Sequence, residues 1–399
     1  MKILVVHEVS YLKKPIYEFQ ILPEALSLLG HDVTVVDFDD TWSKPSGRPL
    51  IDLSTKVHDN VHRAYPRASI TLRHPGIVRL PVVSRIAGAI TGGFEIRRTL
   101  NESSFDALLL YAVPTTGVQS VIAAGRSGVP VFFRSIDVSH HLVPNRLLAW
   151  PTRLLERYVY RGVDAVSVLT PRLKDYVSAY GVPPERIEVL PAGVDLEMFS
   201  PGEANEGCLS RWGVQAGDPV ILFMGTIYRF SGLARVIQDF PQLLIPYPNA
   251  RLLVVGHGED QNRLEALALE KGVSNNVIFT GLQPYETLPD IIRSSDICIN
   301  PFDLNDITRD ILPTKLFQYL ACGKPLVATE LPGTLPFLEG EAHGVIYSSQ
   351  QDFVAQLKDL LGRPERRLSL GRNARVAMEK KYEWRGIARE MASWMQGFL

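Results

Sequence analysis

Apolar strands that alternate with helices constrain the fold of this chain more than any other feature of its sequence. Lys2 to Val6 is an apolar run, followed by leucines and alanines at helical spacing and by a second apolar run from Val33 to Val36. The same alternation returns between Ala107 and Leu190. Strands that are apolar on both faces are typical of parallel sheets covered by helices on both sides. The first half therefore predicts a doubly wound α/β unit.

The alternation stops near the middle of the chain and then restarts. Residues 191–207 are rich in Pro, Gly and polar residues, a composition typical of a linker. Five more apolar runs follow between Pro219 and Thr329, with helical spacing between them. A length of 399 residues fits two domains, which we place at residues 1–199 and 200–375. Since doubly wound sheets bind ligands beyond the carboxyl ends of their strands, two facing units suggest a cleft between domains.

The composition excludes several classes of protein. Hydrophobic residues make up 46% and charged residues 21%, which excludes a mainly disordered chain. The 42 Lys and Arg residues against 43 Asp and Glu residues argue against nucleic acid as a partner. The three cysteines are far apart, so neither a disulfide framework nor a zinc site is expected. No apolar run approaches the roughly 18 residues of a membrane span. We therefore expect a soluble, cytoplasmic protein.

Two loops in the second half carry residues suited to a phosphorylated ligand. The segment from Gly225 to Gly232 follows a strand and combines two glycines with Arg229 ahead of a predicted helix, where backbone N–H groups attract anions. Gly256-His257-Gly258 is a G-x-G turn after the next strand, without the third glycine of a dinucleotide fingerprint. A dehydrogenase is therefore disfavoured. Both loops also have a plainer interpretation, as ordinary turns with solvated side chains.

A third segment, from Pro313 to Gly323, is predicted as a helix of about ten residues, because proline suits a first helical turn and glycine a helix end. Lys315 and Gln318 share one face of it. A lysine in the first turn and an amide one turn later suit a diphosphate and a ribose. The alternative is a surface face with solvated polar groups.

Two segments of the first half also stand out. Asp137, His140 and His141 follow a strand, where α/β active sites are built, although a polar loop that caps the next helix has the same pattern. The stretch from Lys56 to Arg98 carries eight basic and two acidic residues with apolar residues between them. It is predicted to lie on an anionic bilayer, or else to be an exposed insertion with solvated arginines.

In this order the motifs resemble the GT-B-fold retaining glycosyltransferases of glycosyltransferase family 4 (group 1), over essentially the full length. Val189 to Phe199 resembles the interdomain segment of that family, Phe279 to Leu282 its nucleobase-side loop, and Tyr319 to Val327 its most specific block. The resemblance implies two Rossmann-like domains that face each other across a cleft. The first binds the acceptor and the second the nucleotide-sugar donor, and a closing helix over 376–399 crosses back to the first domain.

The resemblance also implies the site residues. Gln318 and Asp310 stand at the two positions of the glutamate pair of the family, and Thr226 and Ser231 stand where it usually has an arginine and a lysine. Arg229 and Lys315 are nearby cations that could replace those two. With Asp137 and His140 from the strand-end segment of the first half, the candidate catalytic residues are Asp137, His140, Arg229 and Lys315, and the implied donor contacts are Gly225, Thr226, Ser231, Gly258, Leu282, Asp310 and Gln318.

The function implied is that of a metal-independent glycosyltransferase of polysaccharide biosynthesis. It would move a sugar from a nucleotide-sugar donor to a glycan or lipid-linked acceptor, with retention of configuration. No cofactor is expected besides the nucleotide-sugar co-substrate, and a peripheral location at the inner face of the membrane follows if residues 56–98 bind lipid. One alternative is a catalytically weak GT-B protein that binds a nucleotide sugar as a regulatory partner, and another is an epimerase of similar fold.

Overall fold

The structure is a computed structural model that describes residues 1–14, 16–38, 50–78, 83–138, 146–203, 205 and 207–399. It divides into two compact units, one formed by residues 1–192 together with 384–399 and the other by residues 193–383. The sequence had suggested boundaries after residues 199 and 375. The chain therefore leaves the second unit later than those boundaries imply, and its last helix belongs to the first unit.

The first unit contains an eight-stranded sheet in the order β10-β9-β8-β7-β1-β2-β5-β4, and β3 pairs with β6 in a separate antiparallel ribbon. All pairs of the larger sheet are parallel except β4 with β5. The strands of the whole unit are β1 Lys2–Val6, β2 Asp32–Val36, β3 Ile51–Asp52, β4 Lys56–Val61, β5 Ile70–His74, β6 Ile77–Val78, β7 Ala107–Leu110, β8 Val131–Ser135, β9 Ala165–Val168 and β10 Ile187–Val189. Its helices are α1 Glu18–Leu28, α2 Val83–Glu102, α3 Gly117–Ser127, α4 Arg146–Gly162 and α5 Pro171–Ala179.

The second unit contains a six-stranded parallel sheet in the order β13-β12-β11-β14-β15-β16. The strand order reverses between β11 and β14, and such a switch point opens a crevice at the carboxyl ends of the strands. The strands are β11 Val220–Met224, β12 Arg251–Val255, β13 Val277–Gly281, β14 Ile297–Asn300, β15 Leu326–Ala328 and β16 Val345–Tyr347. The helices are α6 Leu233–Leu244, α7 Gln261–Glu270, α8 Leu288–Arg293, α9 Lys315–Ala321, α10 Phe353–Leu361 and α11 Pro364–Lys381.

These two sheets confirm the predicted pair of doubly wound α/β units. Each central strand is buried along its length because helices cover both faces, as the uninterrupted apolar runs indicated. In the described part of the chain no helix is both long and apolar enough to cross a membrane.

Three local predictions need correction. The helix expected over about ten residues is the seven-residue α9, which begins at Lys315, so Pro313 lies before it. Part of the predicted linker is packed structure, since Phe199 is fully buried and lies edge-on to Tyr285. Within the stretch from Lys56 to Arg98, β4 and β5 form an antiparallel edge of the first sheet. Edge strands carry polar residues on both faces, so periodicity did not reveal them.

The closing helix, α12 (Trp384–Gln396), completes the first unit by packing on α1. It buries one face that includes Trp384, Ile387, Met391 and Met395. The residues recur at three- and four-residue spacing, which places them on one side of the helix.

Replacing Trp384 by alanine should lower the free energy of unfolding by about 3 to 5 kcal/mol, because the indole is almost fully buried and its loss leaves a cavity. Trp150→Ala is the matched control, since that indole is 69% exposed and its removal should cost less than about 0.5 kcal/mol. Urea unfolding followed by circular dichroism compares the two. Equal midpoints for both variants would show that α12 does not hold the first unit together.

Candidate functional site

The side chain of Lys315 marks the carboxyl end of the second sheet. Its Nζ lies 3.8 Å from the ring centroid of Phe223, in β11, and 4.4 Å from that of Phe302, which follows β14. A Cβ built on Gly225 would be 3.6 Å from the same Nζ. The ammonium therefore lies where the two central strands end, and the structure brings Lys315 and Gly225 together as a site at this edge requires.

The charge of Lys315 is not compensated by the described residues. Burial lowers the pKa of its ammonium well below the ordinary value, and no nearby carboxylate offsets that effect. The two aromatic rings replace part of the lost hydration, since the face of a ring attracts a cation. They do so weakly compared with a counter-ion, so an anion bound beside the nitrogen would stabilise its charged form.

Glycines let the loops after β11 and β12 approach each other by their backbones. Gly256 has a φ of +137°, and a Cβ there would overlap the carbonyl of Gly225. A Cβ on Gly258 would overlap the backbone of Ile227. Both glycines of the G-x-G turn are thus required for packing. The donor contact expected of Gly258 stays a prediction.

Two further polar side chains at this edge are buried without a partner. The hydroxyl of Ser231 and both amide atoms of Asn300 make no hydrogen bond in the structure, and both residues are almost wholly inaccessible. Gly232 follows with a φ of +71°, in close contact with the Pro301 carbonyl, which fixes this loop against the end of β14. Each unpartnered group costs about 1 to 3 kcal/mol of stability. Such groups cluster where a ligand or water completes the structure.

The other predicted donor contacts differ in exposure. Thr226 and Arg229 are exposed on the loop after β11, and Leu282 is 76% exposed just beyond β13. Asp310 is partly buried ahead of α9. Gln318 makes a side-chain hydrogen bond with the hydroxyl of Tyr285, so its amide is held on the β13 side of the site.

Tyr319 connects α9 to the end of β11, and the sequence reasoning missed this role. Its buried hydroxyl accepts a hydrogen bond from the Met224 N–H at 2.7 Å. Because Met224 precedes Gly225 and Tyr319 follows Lys315 by about one helical turn, this bond sets the position of the lysine relative to the glycine. A buried tyrosine inside the family block was the available signal, since a buried phenolic hydroxyl needs a partner.

In the first unit, Glu18 and Arg134 form a fully buried ion pair at the carboxyl ends of the strands. Arg134 Nε donates to Glu18 Oε1 at 2.6 Å, and a second guanidinium nitrogen donates to the Leu190 carbonyl at 2.6 Å. The other oxygen of Glu18, Oε2, is buried without a hydrogen-bond partner. Sequence reasoning missed Glu18, although a carboxylate at the start of a helix just after a strand was a usable signal.

Asp137 lies close enough to this pair to be affected by it. Its carboxyl keeps contact with solvent, but loss of hydration and the negative charge of Glu18 raise its pKa to about 6. Burial and the charges of Asp137 and Glu18 also raise the pKa of Tyr17. His140 lies outside the described residues. In the described part of the chain no group of three or more His, Cys, Asp or Glu residues is arranged to hold a metal ion.

Comparison with known proteins agrees with this architecture. A model of a glycosyl transferase 4-like domain matches residues 20–193, and the model of group 1 glycosyl transferases matches residues 210–377. Sucrose-phosphate synthase from Thermosynechococcus elongatus has a similar fold, with a TM-score of 0.73, 16% identity and coverage of 100% of this chain and 98% of that one. HepE of Anabaena, in complex with UDP-glucose, gives a TM-score of 0.72 with 16% identity and full coverage of both chains. The fold is therefore that of the GT-B glycosyltransferases.

Similar curated sequences include two named transferases. The chain is 28% identical over 279 residues to a GDP-mannose-dependent monoacylated alpha-(1-6)-phosphatidylinositol monomannoside mannosyltransferase of Corynebacterium glutamicum, covering 68% of this chain and 71% of that protein. It is 29% identical over 215 residues to a D-inositol 3-phosphate glycosyltransferase of Segniliparus rotundus, covering 52% and 46%. The chain thus spans about half the length of that second relative. With family models matching both units, it belongs to the group 1, family 4-like glycosyltransferases.

Asp137→Asn should change how stability depends on pH. Since the carboxyl titrates near pH 6 in the folded protein and near 3.8 without its surroundings, the folded state holds this proton more tightly. The stabilisation is complete below about pH 4 and is lost as the pH rises through 6. Urea unfolding at steps across this range should therefore show wild type losing stability relative to Asp137→Asn, and Asp175→Asn on α5 is the control. Parallel curves for wild type and Asp137→Asn would contradict the raised pKa.

Proposed function

We propose that this chain transfers a sugar from a nucleoside diphosphate sugar to a glycan or lipid-linked acceptor, with retention of configuration and without a bound metal. The observation that carries this proposal is the desolvated, uncompensated ammonium of Lys315 at the carboxyl end of the second sheet. Support for the donor class comes from relatives named for GDP-mannose dependence and from a structural neighbour that binds UDP-glucose.

The donor diphosphate would supply the charge that Lys315 lacks. Negative charge increases on the leaving diphosphate as the sugar departs, so a fixed ammonium in a poorly hydrated site stabilises the transition state more than the ground state. Because Phe223 and Phe302 hold the ammonium in place beforehand, little reorganisation is needed during the reaction. Arg229 is a second cation on the adjoining loop and is free to move, since it is exposed.

The remaining donor contacts would form two groups along the carboxyl edge of the second sheet. Gly225, Thr226, Ser231 and Gly258 adjoin the diphosphate side. Gln318 and Leu282 lie towards β13, where an amide can bond a ribose hydroxyl and an exposed apolar side chain can contact the base. In the first unit, Asp137 can exchange a proton with an acceptor hydroxyl, because its pKa of about 6 is close to neutral pH.

The substitution Lys315→Met should lower turnover without lowering the stability of the fold. We expect turnover with UDP-glucose or GDP-mannose, whichever wild type uses, to fall by about 10²- to 10³-fold, as for loss of one transition-state electrostatic contact. Stability should stay equal or rise, because methionine fills similar volume without a buried charge. Lys358→Met, at an exposed position on α10, is the matched control. Near-normal turnover in folded Lys315→Met would remove Lys315 from the site, and donor binding without turnover in wild type would favour the regulatory alternative.

The acceptor is proposed to be lipid-linked because the first unit exposes an apolar and basic helical face. Helix α3 packs between α2 and α4. Ile86, Ile90 and Phe94 of α2 are 62%, 55% and 69% exposed, at a spacing of four residues. Trp150, Leu154 and Tyr158 of α4 repeat this spacing at 69%, 48% and 48% exposed. We call these two stripes together the helical face.

The charges around the helical face are almost all positive. Of the acidic residues on the three helices, Glu95 and Glu156 are buried and Glu102 is paired with arginines. Apolar and aromatic side chains with surrounding arginines are typical of a surface that binds an anionic bilayer. The exposed arginines are Arg85, Arg97, Arg126, Arg153, Arg157 and Arg161.

This face differs from the basic stretch over residues 56–98 that the sequence had suggested. Arg73 pairs with Glu95 at 2.9 Å and with Glu102 at 2.6 Å, and Arg63 donates to the Tyr11 carbonyl at 2.8 Å. Those guanidinium groups hold the fold and are not available to lipid. Among the described residues of the stretch, those of α2 contribute to the helical face.

Sedimentation with phosphatidylglycerol vesicles tests the helical face. Wild type should pellet with the vesicles at low salt and be released as salt rises, since each basic residue near the surface adds about 1 kcal/mol. Trp150→Ser combined with Tyr158→Ser should weaken binding at least tenfold. Ile245→Ser with Leu269→Ser removes equally exposed apolar residues from the second unit and should have no effect. If wild type stays in the supernatant, the acceptor is soluble.

A further inference from the structure

A cavity lies in the second unit, at the edge of the sheet opposite to the one that carries Lys315. Its volume is about 640 Å³, and residues that precede β14 and β15 form its floor. Pro201 and Gly202, near the start of the unit, form one wall, and α11, the last helix of the unit, forms another. Since the donor site lies beyond the carboxyl ends of the strands, this cavity is separate from it.

The cavity is lined by more cations than its own carboxylate can neutralise. Arg367 lies 3.6 Å from Asp296, the carboxylate among the lining residues, and Arg375 pairs with Glu379 at 2.7 Å. Arg375 is also held by backbone carbonyls, including that of Phe199 at 2.9 Å. These two arginines therefore build the wall and are largely compensated.

Lys324 shares the one carboxylate of the lining, Asp296, with Arg367, and no acidic side chain pairs with Arg372 among the described residues. Lys324 is partly buried between the end of α9 and β15, and burial lowers the pKa of its ammonium. Arg372 is exposed at the side of the cavity on α11. A partly buried cation such as Lys324 that shares its counter-ion is less stable than one in water unless an anion binds beside it, and Arg372 adds a second positive charge at the rim of the cavity.

The rest of the lining indicates what accompanies the anion. Much of the wall is apolar, so a hydrated inorganic ion alone would make no favourable contact with that part of the cavity. The apolar lining residues are Pro201, Pro325, Pro364, Leu368 and Val376. From the two cations, the volume and these walls we propose that the cavity binds a phosphate ester, with the phosphate on Lys324 and Arg372 and the ester group on the apolar wall.

An occupant would connect the two ends of the second unit. It would touch the segment at Pro201 and Gly202, where the chain has just entered the unit, and α11, by which the chain leaves it. Binding should therefore raise the thermal stability of the unit, because a ligand that binds only the folded state shifts the unfolding equilibrium.

Calorimetric titration of the full chain with inorganic phosphate and with phenyl phosphate, whose ester group is apolar, tests this site. Lys324→Gln and Arg372→Gln should each weaken binding at least tenfold, and phenyl phosphate should bind wild type more tightly than inorganic phosphate. Lys358→Gln, outside the cavity on α10, should bind as wild type does. Lys315→Gln should retain this binding, which separates it from the donor site and from any failure of the proposed transferase activity.

Wild-type affinity in both Lys324→Gln and Arg372→Gln would overturn the proposal, as would loss of all phosphate binding in Lys315→Gln. Arg372 is exposed on a helix, so its variant decides the result if Lys324→Gln fails to fold. Phosphatidylglycerol vesicles distinguish the source of the phosphate. Weaker sedimentation of Arg372→Gln would assign the site to a lipid headgroup, and unchanged sedimentation with weaker phenyl phosphate binding would assign it to a soluble ester.

Discussion

The arrangement of the second unit depends on one desolvated charge, the ammonium of Lys315 between the rings of Phe223 and Phe302. A cation without a counter-ion destabilises the folded protein, so its position must be held by contacts elsewhere. The hydroxyl of Tyr319 on the Met224 N–H and the glycines that press the neighbouring loops together hold it there. Stability is given up at the edge of the sheet where the proposed donor diphosphate would restore it.

In the first unit, by contrast, the buried charges are compensated within the protein. Its buried charges, Glu18 and Arg134, are paired with each other, and backbone carbonyls satisfy the rest of the guanidinium. The pair still affects a neighbouring carboxyl, because the charge of Glu18 helps to raise the pKa of Asp137. Loss of hydration, with the charge of Glu18 added to it, raises the pKa of the Asp137 carboxyl to about 6, which suits proton exchange with an acceptor hydroxyl.

Part of the candidate donor site in the second unit was predictable from the sequence, and part of it was not. Lys315 and Gly225 were expected in one site because the family resemblance placed both among the candidate donor-site residues. The helix carrying Lys315 was predicted too long, since its first residues are fixed by tertiary contacts that propensity does not record. Gly256 and Gly258 were interpreted as a ligand turn, and the structure shows that close backbone packing already requires both.

The sequence by itself determined the two doubly wound units and the family, because burial of a parallel strand on both faces leaves an apolar run that is read locally. Only the tertiary structure decided which polar groups lose their water and which find partners. Glu18 and Arg134 are 116 residues apart, and Arg73 of β5 meets Glu95 and Glu102 only when β5 and α2 pack together. Desolvation and pairing depend on residues distant in the chain, so local patterns do not contain them.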